Sequence, residues 1–425
     1  PKSLLFAPKL AGFRVIGASM MDDHPVLASD FNGLTRAQPS LPASWYRDPE
    51  HFAKELQNIF ARNWVYLCRA ESLSDPRSYR TFRVAGQPIL VIRDRDGRLQ
   101  GYFNTCRHRG SILCTEPEGK LNKYLITCPY HQWVYDLTGR LRGTGPMRDV
   151  AGFDKEDYLL LRVSLAEWGG FVFVNLDPDA QDFETLFGAE TGYVANWPLT
   201  EMRVGHNYTK VLNCNWKVFW ENFNECLHCP NIHPELSDLV PIYGRAIMAR
   251  RDDPNWKEHA DDDTPPIGGG LREGAQSWSM DGSALGRLPG LTDDDVETGQ
   301  RYVTIVPSVF IAHHADYVRS VQITPLTPQT MQLSVDWLFH PEMMNAPDFD
   351  MEPIVTFGKI VLDQDGAASE LNQAGMASER FERGVLMQEE YEVFLFQDWV
   401  RRQLGVPPLG APPTSRASRR AEIED

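Results

Sequence analysis

The most constraining feature of this 425-residue chain is a pair of short runs, Cys106-Arg107-His108 and Cys128-Pro129-Tyr130-His131, nineteen residues apart. Each run offers one thiol and one imidazole. Two loops that each give one Cys and one His are what a [2Fe–2S] cluster needs when histidines replace two of its four cysteines on one iron. Neutral imidazole donates less charge than thiolate, so such a centre has a raised reduction potential and accepts electrons from weak donors. A Cys2His2 zinc site is the rival, but zinc signatures pair cysteine with cysteine rather than Cys with His across one residue. The plainest alternative is two core thiols with incidental histidines. Cys114 lies between the loops but outside their spacing and reads as a core or loop thiol.

A second constellation occupies Asn215–Glu235, NWKVFWENFNECLHCPNIHPE. Trp216, Phe219, Trp220 and Phe223 predict one aromatic face of a helix running from Trp216 to Cys229. Glu221, Glu225 and His228 form a polar column beside it. Burying such a column is expensive unless its charges are paired or bind a metal. His228 and His233 would point about 140° apart on a straight helix. Pro230 and Pro234 break that helix, so the chain can curl His233 back towards His228. Two histidines and one carboxylate on one face of iron(II) leave positions open for dioxygen, and the carboxylate must come from elsewhere in the chain. Two other readings stay open: Cys226 and Cys229 could hold zinc with one of these histidines, or they are simple core residues.

The length argues for two domains. A helix opens at Asp48-Pro49-Glu50. Short strand-like runs then fill 64–165, including a hairpin of Ile89–Ile92 and Leu99–Phe103 across Asp96-Gly97. Further strands are expected at Gly170–Asn175, Tyr208–Leu212, Tyr302–Ala312, Tyr317–Pro325 and Met331–Phe339. Helices follow at Glu352–Gln373 and Gln388–Leu404. The acidic, glycine-rich stretch 250–299 reads as a long surface excursion. The fold class is α+β: a β-rich domain at 64–165, then a catalytic domain at 166–405 with an antiparallel sheet flanked by helices. An extension (1–40), a helical segment packing with the catalytic domain (41–63) and a mobile tail (406–425) complete the organisation.

Forty-two basic against fifty-eight acidic residues give a net charge of −16, which argues against nucleic acid as a partner. No apolar run is long enough for a membrane span. Seven unevenly spread cysteines argue against a secreted disulfide framework, and the N-terminus makes a poor signal peptide, so a cytoplasmic location is expected.

With both constellations in place, residues 41–404 resemble the Rieske non-heme iron oxygenases. The resemblance rests on the two Cys/His loops, on Asn215-Trp216-Lys217 and Glu221-Asn222-Phe223, and on the His228/His233 pair. It implies a Rieske cluster on Cys106, His108, Cys128 and His131, and a mononuclear Fe(II) on His228 and His233. The third ligand it implies is Asp365, eight residues before Gln373 and ten before Gly375, with Asp363 as runner-up. Glu225 stands three residues before the first iron histidine, where the quaternary-ammonium branch has glutamate and most ring-hydroxylating members have aspartate. There the resemblance implies a bridge to a cluster histidine of the neighbouring subunit, His131 in preference to His108, and so a homotrimer. Two departures stand out: Gln132 where many members have Gly, and Leu227 where an aromatic residue is common.

The run Glu225–Leu236 looks most like the glycine-betaine and proline-betaine (stachydrine) demethylases, with a slight lean to proline betaine. The implied reaction hydroxylates an N-methyl group with dioxygen and releases formaldehyde. Trp278, Phe310, His313 and Tyr317 are the expected pocket walls. No dinucleotide fingerprint or plant-type ferredoxin spacing occurs, so a separate NAD(P)H-dependent reductase of flavin or ferredoxin type is expected as electron donor. The alternatives are an aromatic-ring hydroxylating dioxygenase, a Rieske electron carrier without catalysis, and a zinc-binding module.

Overall fold

Turn chemistry sets out the β-rich part of the molecule. In the computed structural model, whose described residues are 26–148, 150–259, 270–297 and 299–407, Gln87–Arg93 pairs antiparallel with Leu99–Phe103. Gly97 turns the chain between them at φ +78°, a conformation that glycine adopts without steric cost. The sheet continues through Ser78–Val84 to Glu118–Lys120. Residues Ile89 to Ile92 are all fully buried, so this strand is covered on both faces and reads as a continuous apolar run.

A second sheet joins Leu125–Thr127, Val134–Asp136 and Leu141–Gly143, and the loop Cys128–Trp133 lies between its first two strands. The core beneath gathers Leu90, Ile92, Tyr102, Ile126, Trp133 and Tyr135 with the thiols of Cys106, Cys114 and Cys128. A third sheet places Phe171–Asn175 between Ser164–Trp168 and Val65–Arg69. This unit spans Ala53–Gly188 with Ile305–Ser308, and so runs past residue 165. Ser164–Trp168 pairs locally with Phe171–Asn175, but the latter finds its second partner, Val65–Arg69, about a hundred residues back, and no local pattern reveals such a pairing.

The other unit comprises, among described residues, 26–52, 189–304 and 309–407. Its sheet runs Arg203–Leu212, Thr330–Phe339, Val318–Thr327, Val309–His313, Arg301–Ile305. Where one strand was expected over 302–312 there are two, divided around Pro307, which has no N–H to give a ladder. The long helix Glu352–Gly375 lies close against the sheet. A Cβ at Gly358 would come within 2.8 Å of Trp337, and one at Gly366 within 2.9 Å of Leu212, so only glycine permits this approach.

Two expectations change here. The helix beginning at Trp216 ends at Phe223 instead of Cys229, because Asn224 caps it and the chain bends before two short turns, Cys229–Ile232 and Pro234–Leu239. The polar column therefore does not exist as a column. The stretch 250–299 is not a mere surface excursion: Trp278, Leu288 and Leu291 are buried, and buried Asp295 pairs with Arg301 at 2.8 Å. Residues 1–25, 149, 260–269, 298 and 408–425, and with them most of the extension and the tail, lie outside the described residues. No helix among the described residues is long and apolar enough to cross a membrane.

Candidate active site

The first Cys/His loop follows the strand Leu99–Phe103. It is closed by Cys106 N–H donating to Ser111 O (2.8 Å) and Gly110 N–H donating to Cys106 O (3.0 Å). The second is closed the same way, Cys128 N–H donating to Trp133 O and Gln132 N–H to Cys128 O. Cys106 and Cys128 are buried free thiols, and burial pushes the Cys106 thiol up. The imidazoles of His108 and His131 stand 4.8 Å apart between ring centres, with His108 stacked on Trp133. His131 Nδ1 is buried without a hydrogen-bond partner among the described residues. A buried imidazole nitrogen with no protein partner, on a loop that also carries a buried thiol, suits a cluster ligand. The four residues fit a [2Fe–2S] group.

The second centre is assembled from the broken helix and the long one. Asn215 caps Trp216–Phe223, its Oδ1 accepting from Lys217 N–H (3.0 Å). After Asn224 the chain turns so that His228 and His233 face one another, 5.1 Å between ring centres. His228 Nδ1 meets Glu225 Oε1 at 2.6 Å, and His233 Nδ1 meets Gln364 Oε1 at 2.8 Å. The Gln364 amide is itself fixed by donating to Glu235 (3.0 Å), so its oxygen faces the imidazole and His233 Nδ1 donates. Both Nδ1 atoms are thus spoken for, and both Nε2 atoms turn to Asp365 Oδ1, at 3.4 Å from His228 and 2.9 Å from His233. Asn222 donates to the same oxygen (2.7 Å). Around an octahedral ion with bonds of about 2.1 Å, neighbouring ligand atoms sit about 3 Å apart. The three groups fit one iron, with the other ring nitrogens oriented by outer partners.

Charge in this centre is tightly linked. Burial pulls the His228 imidazolium down, but hydrogen bonds to Asp365 and Glu225 outweigh it and push its pKa up to about 9. Burial also raises Asp365, yet His228 and His233 hold it well below the usual carboxylate range. Asp363, the runner-up, points elsewhere: it accepts from Tyr208 (2.7 Å) and Lys210 (2.6 Å) and is half-exposed. Cys226 and Cys229 are joined to each other in a disulfide, so in this state neither thiol is available to zinc. The bend that ends the helix brings their Cα atoms to 5.0 Å, a bridging distance.

His228, His233 and Asp365 line a cavity whose other walls include Phe223, Tyr243, Trp278, Tyr302, Phe310 and Arg319. Trp278 and Phe310 were expected there. Tyr317 and His313 are not among the lining residues. Tyr317 is fully buried and donates to Trp278 O (3.2 Å), and His313 is held by Arg301 O (3.2 Å) and packed on Trp197. Tyr243, Tyr302 and Arg319 escaped the sequence reading. The one visible signal was Arg319, the single charged residue of its strand. Glu225 also faces a second cavity of about 220 Å³, lined by Tyr46, Glu221, Ser369, Asn372 and Glu390 among others. There Glu221 accepts from Tyr46 (2.6 Å) and Gln397 (2.9 Å), and burial pushes its pKa up to about 7.

Residues 63–154 match the Rieske [2Fe-2S] domain model, and residues 199–406 match the ring hydroxylating alpha subunit catalytic domain. The second match goes beyond what a pure electron carrier or a zinc module has. The glycine betaine monooxygenase oxygenase subunit of Chromohalobacter salexigens is 30% identical over 419 residues, covering 91% of each chain. The carnitine monooxygenase oxygenase subunit of Escherichia coli is 35% identical over 219 residues, 51% of this chain and 58% of that one. The solved structure of a quaternary ammonium Rieske monooxygenase shares the fold, with TM-score 0.66 and 22% identity over 88% of this chain and 96% of that one. The α+β architecture is that of oxygenases carrying a Rieske cluster and a mononuclear iron that works with dioxygen. The chain belongs to the Rieske non-heme iron oxygenases, as an oxygenase subunit.

Proposed function

We propose that this oxygenase hydroxylates an N-methyl group of a small quaternary ammonium betaine, with glycine betaine and proline betaine as candidates. Dioxygen, two electrons and two protons turn the N-methyl group into N-hydroxymethyl and water, and the product collapses to the demethylated amine, formaldehyde and a proton. Cys106, His108, Cys128 and His131 hold the cluster; His228, His233 and Asp365 hold the iron. When bound, the iron supplies dioxygen activation and the cluster supplies electrons. The observation that carries this reading is the convergence of both histidine Nε2 atoms on Asp365 beside aromatic walls, Phe223, Tyr302, Phe310 and Trp278. Aromatic faces attract a quaternary ammonium through cation–π contact.

Glu225 accepts the Nδ1 proton of His228 and faces the second cavity as well. This supports its role as the bridge over which a neighbouring subunit's His131 delivers an electron, within a homotrimer fed by a separate NAD(P)H-dependent reductase. Glu225→Gln should keep cluster and iron yet lose nearly all coupled turnover; wild-type rates would refute the bridge. The reaction itself is tested by incubating the holoenzyme with a surrogate reductase and each betaine. Formaldehyde formed in proportion to dioxygen consumed is the expected result. A cis-diol from an arene, with no formaldehyde from any betaine, would overturn it.

A further inference from the structure

Arg319 is the one Lys or Arg among the described residues that line the iron cavity. It sits in Val318–Thr327, opposite Ala312 on one side and Trp337 on the other, and is only 5% exposed. Among the described residues its Nε is buried without a hydrogen-bond partner, and no carboxylate forms an ion pair with its guanidinium. The guanidinium lies against the long helix at Gly358, where a Cβ would stand 3.0 Å from Nη1.

Its charge acts on Tyr302, Tyr317 and His314 among others. Burial pushes both phenols up and the imidazole down, so all three are uncharged near neutrality. Both acids of the cavity are already engaged, Asp365 by Asn222 and two histidines and Glu225 by His228. Burying a guanidinium without a counter-ion is costly. A purely structural arginine at such a position would be expected to hold a carboxylate or a carbonyl; this one lines the cavity with its Nε unpartnered among the described residues.

We infer that Arg319 anchors the carboxylate of the substrate, so that the site takes zwitterions bearing both a quaternary ammonium and a carboxylate, and discriminates against ammonium alcohols, esters and amides. The inference rests on the proposed iron site and its aromatic walls. A guanidinium presents a planar fork that matches a carboxylate with two parallel hydrogen bonds, while the aromatic faces hold the ammonium end. Two-point attachment fixes which methyl group meets the His228–His233–Asp365 face. A site built for a polar group rejects analogues lacking it, because its own buried donors are then left unpaired.

The test compares glycine betaine, proline betaine and glycine betaine amide, which keeps the ammonium and loses the anion. Binding to the anaerobic holoenzyme is followed by calorimetry and turnover by formaldehyde release. The betaines should bind the wild type about a hundredfold more tightly than the amide. Arg319→Gln should erase that ratio through KM, and Arg319→Lys should restore part of it. A merely structural arginine would depress acid and amide together, leaving the ratio intact, and that result overturns the inference. If Arg319→Gln does not fold, equal wild-type affinity for betaine and amide overturns it alone. Arg319-dependent betaine binding without formaldehyde would sink the demethylation reading and spare Arg319. Formaldehyde from amide and betaine alike would do the reverse, and no binding of either would end both.

Discussion

The four cluster residues stand within one 26-residue span of the β-rich unit, whereas His233 and Asp365 are 132 positions apart. The two centres also differ in how far side-chain hydrogen bonds fix their histidine ligands. At the cluster loops, His131 Nδ1 has no hydrogen-bond partner among the described residues, His108 is held by stacking on Trp133, and Cys106 Sγ meets the Tyr135 hydroxyl at 3.4 Å. At the iron centre Glu225, Gln364 and Asn222 already hold both histidines and the aspartate. One centre is completed by its metal and the other is built in advance of it. Metal binding is folding energy where the ligands have little else to order them, and fine positioning where hydrogen bonds have done the ordering.

The largest effects should therefore come from deleting a ligand on each side. Cys128→Ser is expected to abolish the Rieske electron paramagnetic resonance signal and to lower the melting of the β-rich unit by roughly 10 °C or more. Asp365→Ala should weaken iron binding by more than about a hundredfold while the resonance signal persists and melting moves by only a few degrees. If the two variants destabilise alike, the contrast between a metal-built and a prebuilt centre is wrong. Unchanged iron content in Asp365→Ala would move the third ligand elsewhere.

A smaller effect is expected at Gln364, which touches His233 without reaching the metal. Gln364→Leu keeps the volume and removes the acceptor, so His233 is free to rotate or change tautomer. Iron affinity should fall by about ten- to a hundredfold, with the cluster untouched. Full retention would mean that packing, not this hydrogen bond, aims the ring.

Proton linkage sharpens the same contrast. With no metal, the His228 pKa is raised from its ordinary 6.5 to about 9. A raised histidine contributes stability that is fully present below pH 6.5 and is lost as pH rises through 9. The iron-free form should thus lose stability over that window. The loaded form, whose His228 carries no Nε2 proton, should not, so the stabilisation given by iron grows with pH. At pH 7.5 iron uptake should release about one proton, readable by calorimetry in buffers of different ionisation heat. Uptake without proton release would show that His228 is neutral before the metal arrives.

How far each centre could be read in advance follows from the same difference. The cluster loops announce themselves because their chemistry is local: one residue between Cys106 and His108, two between Cys128 and His131. The histidine pair was legible too, because prolines mark the bend that brings His233 round. Its carboxylate was legible only through the resemblance, which singles out Asp365 over Asp363. Both lie on one helix, and it is tertiary packing that turns Asp363 to Lys210 and Tyr208 and Asp365 to the histidines. The helix end at Phe223 was misjudged because the periodic pattern runs on through residues that leave the helix. Arg319 is not legible in the sequence, because its burial is a property of the assembled unit.

The smallest expected effect lies in the cluster loop itself. Gln132 follows the second cluster histidine at φ +58°, in the left-handed region where a side chain costs about 1 kcal/mol or slightly more. The loop has no slack to avoid it. Gly145 packs on the same backbone, where a Cβ would come within 2.5 Å of His131 O, and Gln132 N–H is committed to Cys128 O at 3.1 Å. Gln132→Gly relieves the local strain but gives the unfolded chain more freedom, and the two terms partly cancel. The net should be a gain of about 0.5 kcal/mol, seen as a rise of about 2 °C in the melting of the β-rich unit. A metal-built loop tolerates this strain because the cluster, once bound, holds the turn on both sides. The gain should therefore be larger in protein depleted of its cluster than in the loaded form. A gain equal in both forms would mean that the turn is set by the strands Leu125–Thr127 and Val134–Asp136 alone. The cluster would then be seated in a scaffold as finished as the iron centre.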